Sequence, residues 1–220
     1  MVKEYKCLVA PTADKVIGNI TGNITAEPND SGESTLGDLI AYAQLYNTSN
    51  PSYGGAMVAF TNPEGIRFDL NLRGSELPCN VTYCEAFSVQ PFGNNLVTMI
   101  LSGTQIDTLL EQQFDNTSFG NKGILQVSKG FGYTWNKSDL VGKKVNIFSI
   151  KINGTSIDPS ILYRVTVDSF MVDGGNNLFV LKAGFNRTVG SLDNVNVSAN
   201  YIKNFSPLAP GPRDRIAVVK

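Results

Sequence analysis

The chain has 220 residues, 42% of them hydrophobic, with 18 basic and 19 acidic side chains and no histidine. That length suits one large domain or two small ones with a substantial core. The near-neutral charge offers no basic surface for nucleic acid. Without histidine, Ser-His-Asp and Cys-His catalysis, histidine-ligated zinc or iron, and the usual general base near pH 7 are excluded. Carboxylate-only hydrolysis survives this filter, but no carboxylate pair is placed to argue for it.

No apolar run approaches the length of a membrane span, and Met1–Lys6 is no signal peptide. The protein is therefore either intracellular or a fragment that begins inside a longer precursor. Two features favour a fragment of a secreted parent. Asn-x-Ser/Thr acceptors begin at Asn19, Asn23, Asn29, Asn47, Asn80, Asn116, Asn136, Asn153, Asn186, Asn196 and Asn204, more than an Asn- and Thr-rich chain is expected to produce by chance. Cys79-Asn-Val-Thr-Tyr-Cys84 has a spacing that can close a small disulfide loop in an oxidising compartment. Cys7 stays unpaired, and three cysteines without histidine do not make a zinc site.

In chain order, residues 1–30 read as linker and sequon-rich lead-in, and residues 31–220 as the domain proper. Ser34 or Thr35 caps a helix whose apolar positions are Leu36, Leu39, Ile40, Ala43 and Tyr46, with Gly37 marking close packing. Ala56–Phe60 reads as a buried strand and Ile66–Leu70 as an alternating one. Val81–Ser88 reads as a short helix, Leu96–Leu101 as a strand. A helix starting at Gly103-Thr104 presents Ile106, Leu109, Leu110 and Phe114. Ile124–Val127 and Gly132–Trp135 are expected to pair with each other. Val145–Ile152 alternates into the Asn153-Gly154 hairpin turn. Tyr163–Asp168 is a strand, Leu192–Lys203 a helix and Ile216–Val219 a closing strand. Strands outnumber helices, and hairpins mix with longer crossovers. The fold class is α+β, with a mixed β-sheet and flanking helices.

Two loops carry the functional signal. In Val89-Gln-Pro-Phe-Gly-Asn-Asn-Leu96, Pro91 and Gly93 set a tight turn around Phe92. In Asp168-Ser-Phe-Met-Val-Asp-Gly-Gly-Asn-Asn177, Gly174-Gly175 lets the chain bend after Phe170 and aim Asn176 back toward the ring. Two rings with amides and carboxylates around them suit a flat heteroaromatic ligand, stacked on its faces and read along its edge. By burial statistics alone, a phenylalanine after a strand is more often core. An Asp-Gly-Gly-Asn run is more often a turn, and Arg67 more often a solvated face.

Five motifs occur here in the order of one family: Glu33-Ser-Thr-Leu-Gly-Asp-Leu-Ile40, Asn62-Pro-Glu-Gly-Ile-Arg67, Val89-Gln-Pro-Phe-Gly-Asn94, Leu125-Gln-Val-Ser128 and Phe170-Met-Val-Asp-Gly-Gly175. On these the chain resembles the C-terminal domain of the 5′-nucleotidases, the group that includes bacterial UDP-sugar hydrolase and animal ecto-5′-nucleotidase. The resemblance implies that family's C-terminal domain fold from about Ala13 to the final strand. It also implies a partner, an N-terminal metallophosphoesterase domain of the same parent chain. That domain carries two divalent metals (zinc or manganese type) that activate water. No cofactor is expected in this chain, which by itself should bind nucleosides and hydrolyse nothing.

The resemblance further implies that Phe92 and Phe170 stack the base and that Asn94 bonds its edge. Arg67 reaches ribose or phosphate, Asn62 opens its motif beside it, and Asp173 and Asn176 complete the substrate site. The loop Ser128-Lys-Gly130 is expected near the base edge. Three departures stand out: Pro63-Glu64 replaces two glycines and adds a carboxylate near Arg67, Asn176 replaces an aspartate that accepts from ribose hydroxyls, and Gly32 replaces an arginine directed at phosphate. The competing expectation is a non-enzymatic secreted binding or interaction module that keeps the fold without the nucleotide.

Overall fold

The computed structural model describes residues 12–115 and 123–219. Cys7 and the Asn116 sequon lie outside them. The chain begins with β1 (Val16–Ile20) and a capped helix, α1 (Thr35–Thr48). Next come β2 (Val58–Thr61), β3 (Cys79–Thr82), α2 (Tyr83–Val89), β4 (Asn95–Ser102) and α3 (Gly103–Gln112). The middle holds β5 (Gln126–Val127), β6 (Phe131–Asn136), β7 (Lys151–Ile152) and β8 (Thr155–Ser156). The chain closes with β9 (Leu162–Asp168), the single turn α4 (Ser169–Val172), β10 (Phe185–Asp193), α5 (Asn194–Phe205) and β11 (Ile216–Val219).

The main sheet has the order β10-β4-β9-β2-β5, with β2 parallel to β9 and the other pairs antiparallel. A second sheet runs β11-β6-β7-β8, and β1 pairs with β3. The architecture is thus α+β with mixed sheets, as the element pattern implies. The largest core lies between the two bigger sheets and α3, where Phe60, Met99, Leu101, Leu110 and Val165 are fully enclosed. A second core joins β1 and β3 to α1, α2 and α5 through Ile17, Ile20, Ile40, Val81 and Ile202. Residues 16–24, read as lead-in, contribute Ile17, Ile20 and Ile24 to that core.

Local chemistry explains the helix starts. Ser34 Oγ accepts from Gly37 N at α1. Thr82 with Glu85 and Ser102 with Gln105 form reciprocal capping boxes at α2 and α3. Gly37 is where α1 meets β5: a β-carbon there would sit 2.6 Å from Gln126 Oε1. Gln126 needs that space, because its Oε1 accepts from Ser34 N (2.7 Å) and its Nε2 donates to the carbonyls of Gly32 (2.8 Å) and Ile124 (2.7 Å).

The Glu33–Asp38 stretch is likewise structural. The enclosed Glu33 carboxylate accepts from Arg215 N (3.0 Å) and Ile216 N (3.2 Å), tying β11 to the head of α1. Arg215 Nη1 stands 3.2 Å from Asp38 Oδ1. Burial nevertheless pushes the Asp38 carboxyl up to about 9 against the charge of Arg215, and the neighbouring Glu33 adds to the rise. Trp135 Nε1 donates to Ser31 O (3.0 Å) on the same seam.

Several local expectations change in the fold. Residues 124–127 and 132–135 do not pair with each other. Val127 pairs with Phe60 of β2, whereas β6 lies between β11 and β7. Gly130, at φ 90°, turns the chain out of one sheet and into the other. Ile66–Leu70 neither alternates in burial nor forms a strand: Ile66 and Leu70 are buried but Arg67, Phe68 and Asp69 are exposed, and the backbone finds single partners at Val89 O and Ile24. Of Val145–Ile152 only Lys151–Ile152 is strand; Ile147–Ser149 is a turn of 3₁₀ helix capped by Asn146. The expected helix at Val81 starts two residues later, after β3. The Asn153-Gly154 hairpin forms, with φ of 51° and 80° as a type I′ turn requires. Cys79 and Cys84 are free thiols. The strand buries the first, which accepts from Arg73 N (3.2 Å), while α2 carries the second into solvent.

Candidate functional site

The ends of β2, α2 and β9 and the start of α5 converge on a cleft of about 550 Å³, within the range for small-molecule sites. The first wall leaves β2 at Asn62. Pro63 starts a single 3₁₀ turn, Pro63–Gly65, closed by Ile66 N donating to Pro63 O (2.9 Å). This short loop puts Asn62, Glu64, Ile66 and Arg67 on the lining. Its backbone is tight: a β-carbon on Gly65 would lie 3.0 Å from Asn62 Oδ1.

The second wall is the turn after α2. Phe92 N donates to Gln90 O (2.9 Å), and Gly93 takes φ 64°, a left-handed conformation that a glycine adopts at no steric cost. The turn holds Phe92 out of the core at 48% exposure, and the Arg67 guanidinium lies 5.1 Å from its ring centre. Asn94, also on the lining, accepts through its carbonyl from Asn194 N (2.8 Å), which locks the loop to the head of α5.

The third wall begins at Asp168. Its Oδ1 accepts from Met171 N (2.9 Å), capping α4. Burial raises the Asp168 carboxyl above the usual carboxylate range, against the opposing backbone N–H groups of Met171 and Phe170. Phe170 is 49% exposed, and its ring rests on Gly175, where a β-carbon would fall 2.6 Å from Cδ1. Gly174 (φ 86°) and Asn176 (φ 56°) then fold the chain back over the cleft, and Asn62 Nδ2 donates to Asn176 Oδ1 (2.9 Å) across it.

The cleft therefore brings together Phe92, Phe170, Asn94, Arg67, Asn62 and Asn176. Asp173 does not line it: the residue ends α4 and is exposed. The loop Ser128–Gly130 also lies elsewhere. Ser128 is buried against Ala59, and Lys129 stands over the Tyr42 ring on a separate surface depression. Gly32 sits inside the Gln126 hydrogen-bond knot, off the lining.

Sequence reasoning did not single out Asn194, which enters the cleft from the first position of α5. The only local signal was the Asp193 cap before it. Glu64 is noticed in the sequence only as a departure; in the structure it faces the cleft and a cavity of about 10 Å³ behind it. Burial raises its carboxyl, while a hydrogen bond from its own backbone and the charge of Arg67 pull it down. Chemically, the arrangement offers two ring faces, amides, one guanidinium and carboxylates, and no nucleophile–base pair. Among the described residues no group of three or more metal-ligating side chains is arranged to hold an ion. Nor is any helix among them long and apolar enough to cross a membrane.

The mixed-sheet α+β fold has clear counterparts among solved structures. The 5′-nucleotidase precursor from Thermus thermophilus superposes with a TM-score of 0.82 at 27% identity, over 99% of this chain and 42% of that one. The family model for the 5′-nucleotidase, C-terminal domain, matches residues 16–183, and the chain belongs to that family. Among curated relatives, the cell wall protein Lmo0130 of Listeria monocytogenes is 32% identical over 178 residues, covering 80% of this chain and 22% of that protein. A snake venom 5′-nucleotidase of Macrovipera lebetinus is 26% identical over 195 residues, covering 84% of this chain and 47% of that protein. The chain thus spans less than half the length of each.

Proposed function

We propose that this chain is the nucleoside-recognition domain of a secreted, nucleotide-hydrolysing metallophosphoesterase. The base lies between Phe92 and Phe170, Asn94 reads its edge, and Arg67 and Asn62 face the sugar-phosphate side. Hydrolysis belongs to an N-terminal metallophosphoesterase domain carrying two divalent metals, so this chain alone turns over no substrate. The observation that carries the reading is the exposure of the two rings. A core phenylalanine is enclosed, as Phe60 is at 0%, whereas Phe92 and Phe170 keep 48% and 49% of their surface while lining one cleft. A base stacked on an aromatic side chain gains roughly 1–3 kcal/mol. Secretion is supported by the sequons: none of the described acceptor asparagines is buried.

Titrating adenosine against the chain, followed by intrinsic fluorescence and nucleoside NMR signals, tests the reading. Saturable binding that disappears in Phe92→Ala and in Phe170→Ala supports it. A folded chain that binds no nucleoside instead indicates an interaction module that has kept the fold without the ligand. Turnover by the chain, with or without manganese, would contradict the division of labour.

A further inference from the structure

The polar groups of the cleft are weighted toward acceptors. Asn62 and Asn194 are both almost fully buried, at 3% and 1% exposure, and the Oδ1 of each has no hydrogen-bond partner in the protein. Both side chains line the cleft. The Asn176 carbonyl oxygen is already engaged by Asn62 Nδ2, and the Asp168 carboxylate is held by the backbone at the start of α4. Among the described lining residues this leaves Glu64 as the charged acceptor not committed to a cap. Buried acceptors without donors are costly, and a ligand that supplies donors removes that cost.

We infer that Glu64 is a specificity-determining residue, and that its carboxylate, on the same cleft lining as the unpartnered Asn62 oxygen, selects ligands presenting two adjacent hydrogen-bond donors. The inference rests on the nucleoside reading of the cleft. A nucleoside offers that chemistry from two sources: the vicinal hydroxyls of ribose, or paired N–H groups on the base, as on the edge of guanine. Both fit a carboxylate, which accepts through two oxygens at once. The same placement makes the cleft a poor receptor for phosphate. Glu64 opposes the positive field of Arg67, whose guanidinium is in turn seated against the Phe92 ring. Glu64 is partly exposed on a 3₁₀ turn, so its replacement leaves the core intact.

The test measures dissociation constants of the chain, its Glu64→Gln and Glu64→Gly variants and Phe92→Ala, with thermal unfolding as the check on folding. The ligands are guanosine, inosine, and the 2′,3′-dideoxy forms of each. For the Glu64 variants the expected loss is roughly tenfold or more, the scale of a lost charge-assisted pair. If ribose is the source, that loss vanishes for both dideoxy ligands and is equal for guanosine and inosine. If the base is the source, it persists for dideoxyguanosine and is absent for inosine, which lacks the second N–H donor. Equal affinities of wild type and Glu64→Gln for every ligand, with binding still lost in Phe92→Ala, overturn the role of Glu64 and leave the stacking cleft standing. Absence of nucleoside binding by the wild type overturns both.

Discussion

Replacing Gly175 with alanine separates stacking from folding with a single methyl group. In the present structure the new β-carbon would lie 2.6 Å from Phe170 Cδ1 and 2.7 Å from Cζ. Carbon atoms pack at roughly 3.5–4.0 Å, so the ring must shift by about 1 Å. Nothing in the core holds it back, because Phe170 is half exposed. Gly175, unlike Gly174 at φ 86°, is outside the left-handed region, so alanine fits its backbone. Stability should therefore stay within about 0.5 kcal/mol of wild type, as for ordinary surface substitutions. Losing the stack on one face removes roughly 1–3 kcal/mol, about a 5- to 150-fold rise in Kd at 1.4 kcal/mol per decade. Calorimetric titration with adenosine measures this, with Gly211→Ala as control, since a β-carbon there meets nothing within 4 Å. Wild-type affinity in Gly175→Ala, with the Phe170 ring signals shifted in the NMR spectrum, would refute the stacking role of that ring.

Gly37→Ala should lower stability even though alanine is the better helix former by about 1 kcal/mol. Displacing Gln126 endangers its bonds to Ser34, Gly32 and Ile124, each worth about 0.5–1.5 kcal/mol; a chain more stable than wild type in urea unfolding would contradict this. Asp38→Asn should flatten the pH dependence of stability. The folded Asp38 pKa of about 9 lies above the ordinary value of 3.8, so the folded state holds the extra proton between these limits. Wild-type stability therefore falls as pH rises through that window, and the asparagine variant should lose that component of the slope. Nucleoside affinity should fall on acidification as Glu64 protonates, beginning at a higher pH than for an ordinary glutamate because its carboxyl is raised. A Glu64→Gln variant with the same pH profile as wild type would rule that out.

What the sequence determined by itself is whatever depends on neighbours within one turn of chain. Ser34, Thr82 and Ser102 start helices because a hydroxyl oxygen reaches a backbone N–H three residues on. Asn153-Gly154 makes its turn from its own torsional preferences. The five motifs were legible in another way, through their order along the chain, which resembles that of the family whose model matches residues 16–183. Strand partners were not legible: Phe60 meets Val127 and Ile216 meets Tyr133 only after long stretches of chain have folded between them. The cleft is of that second kind. Its rings were readable as candidates, but whether a phenylalanine is core or wall depends on what packs against it. Asn194, 100 residues after Asn94, joins it through one backbone hydrogen bond, while Asp173 and Lys129 turn away. Which acceptors remain without donors is likewise set by the tertiary arrangement, because a hydrogen bond is satisfied by geometry in space and not by position in the chain.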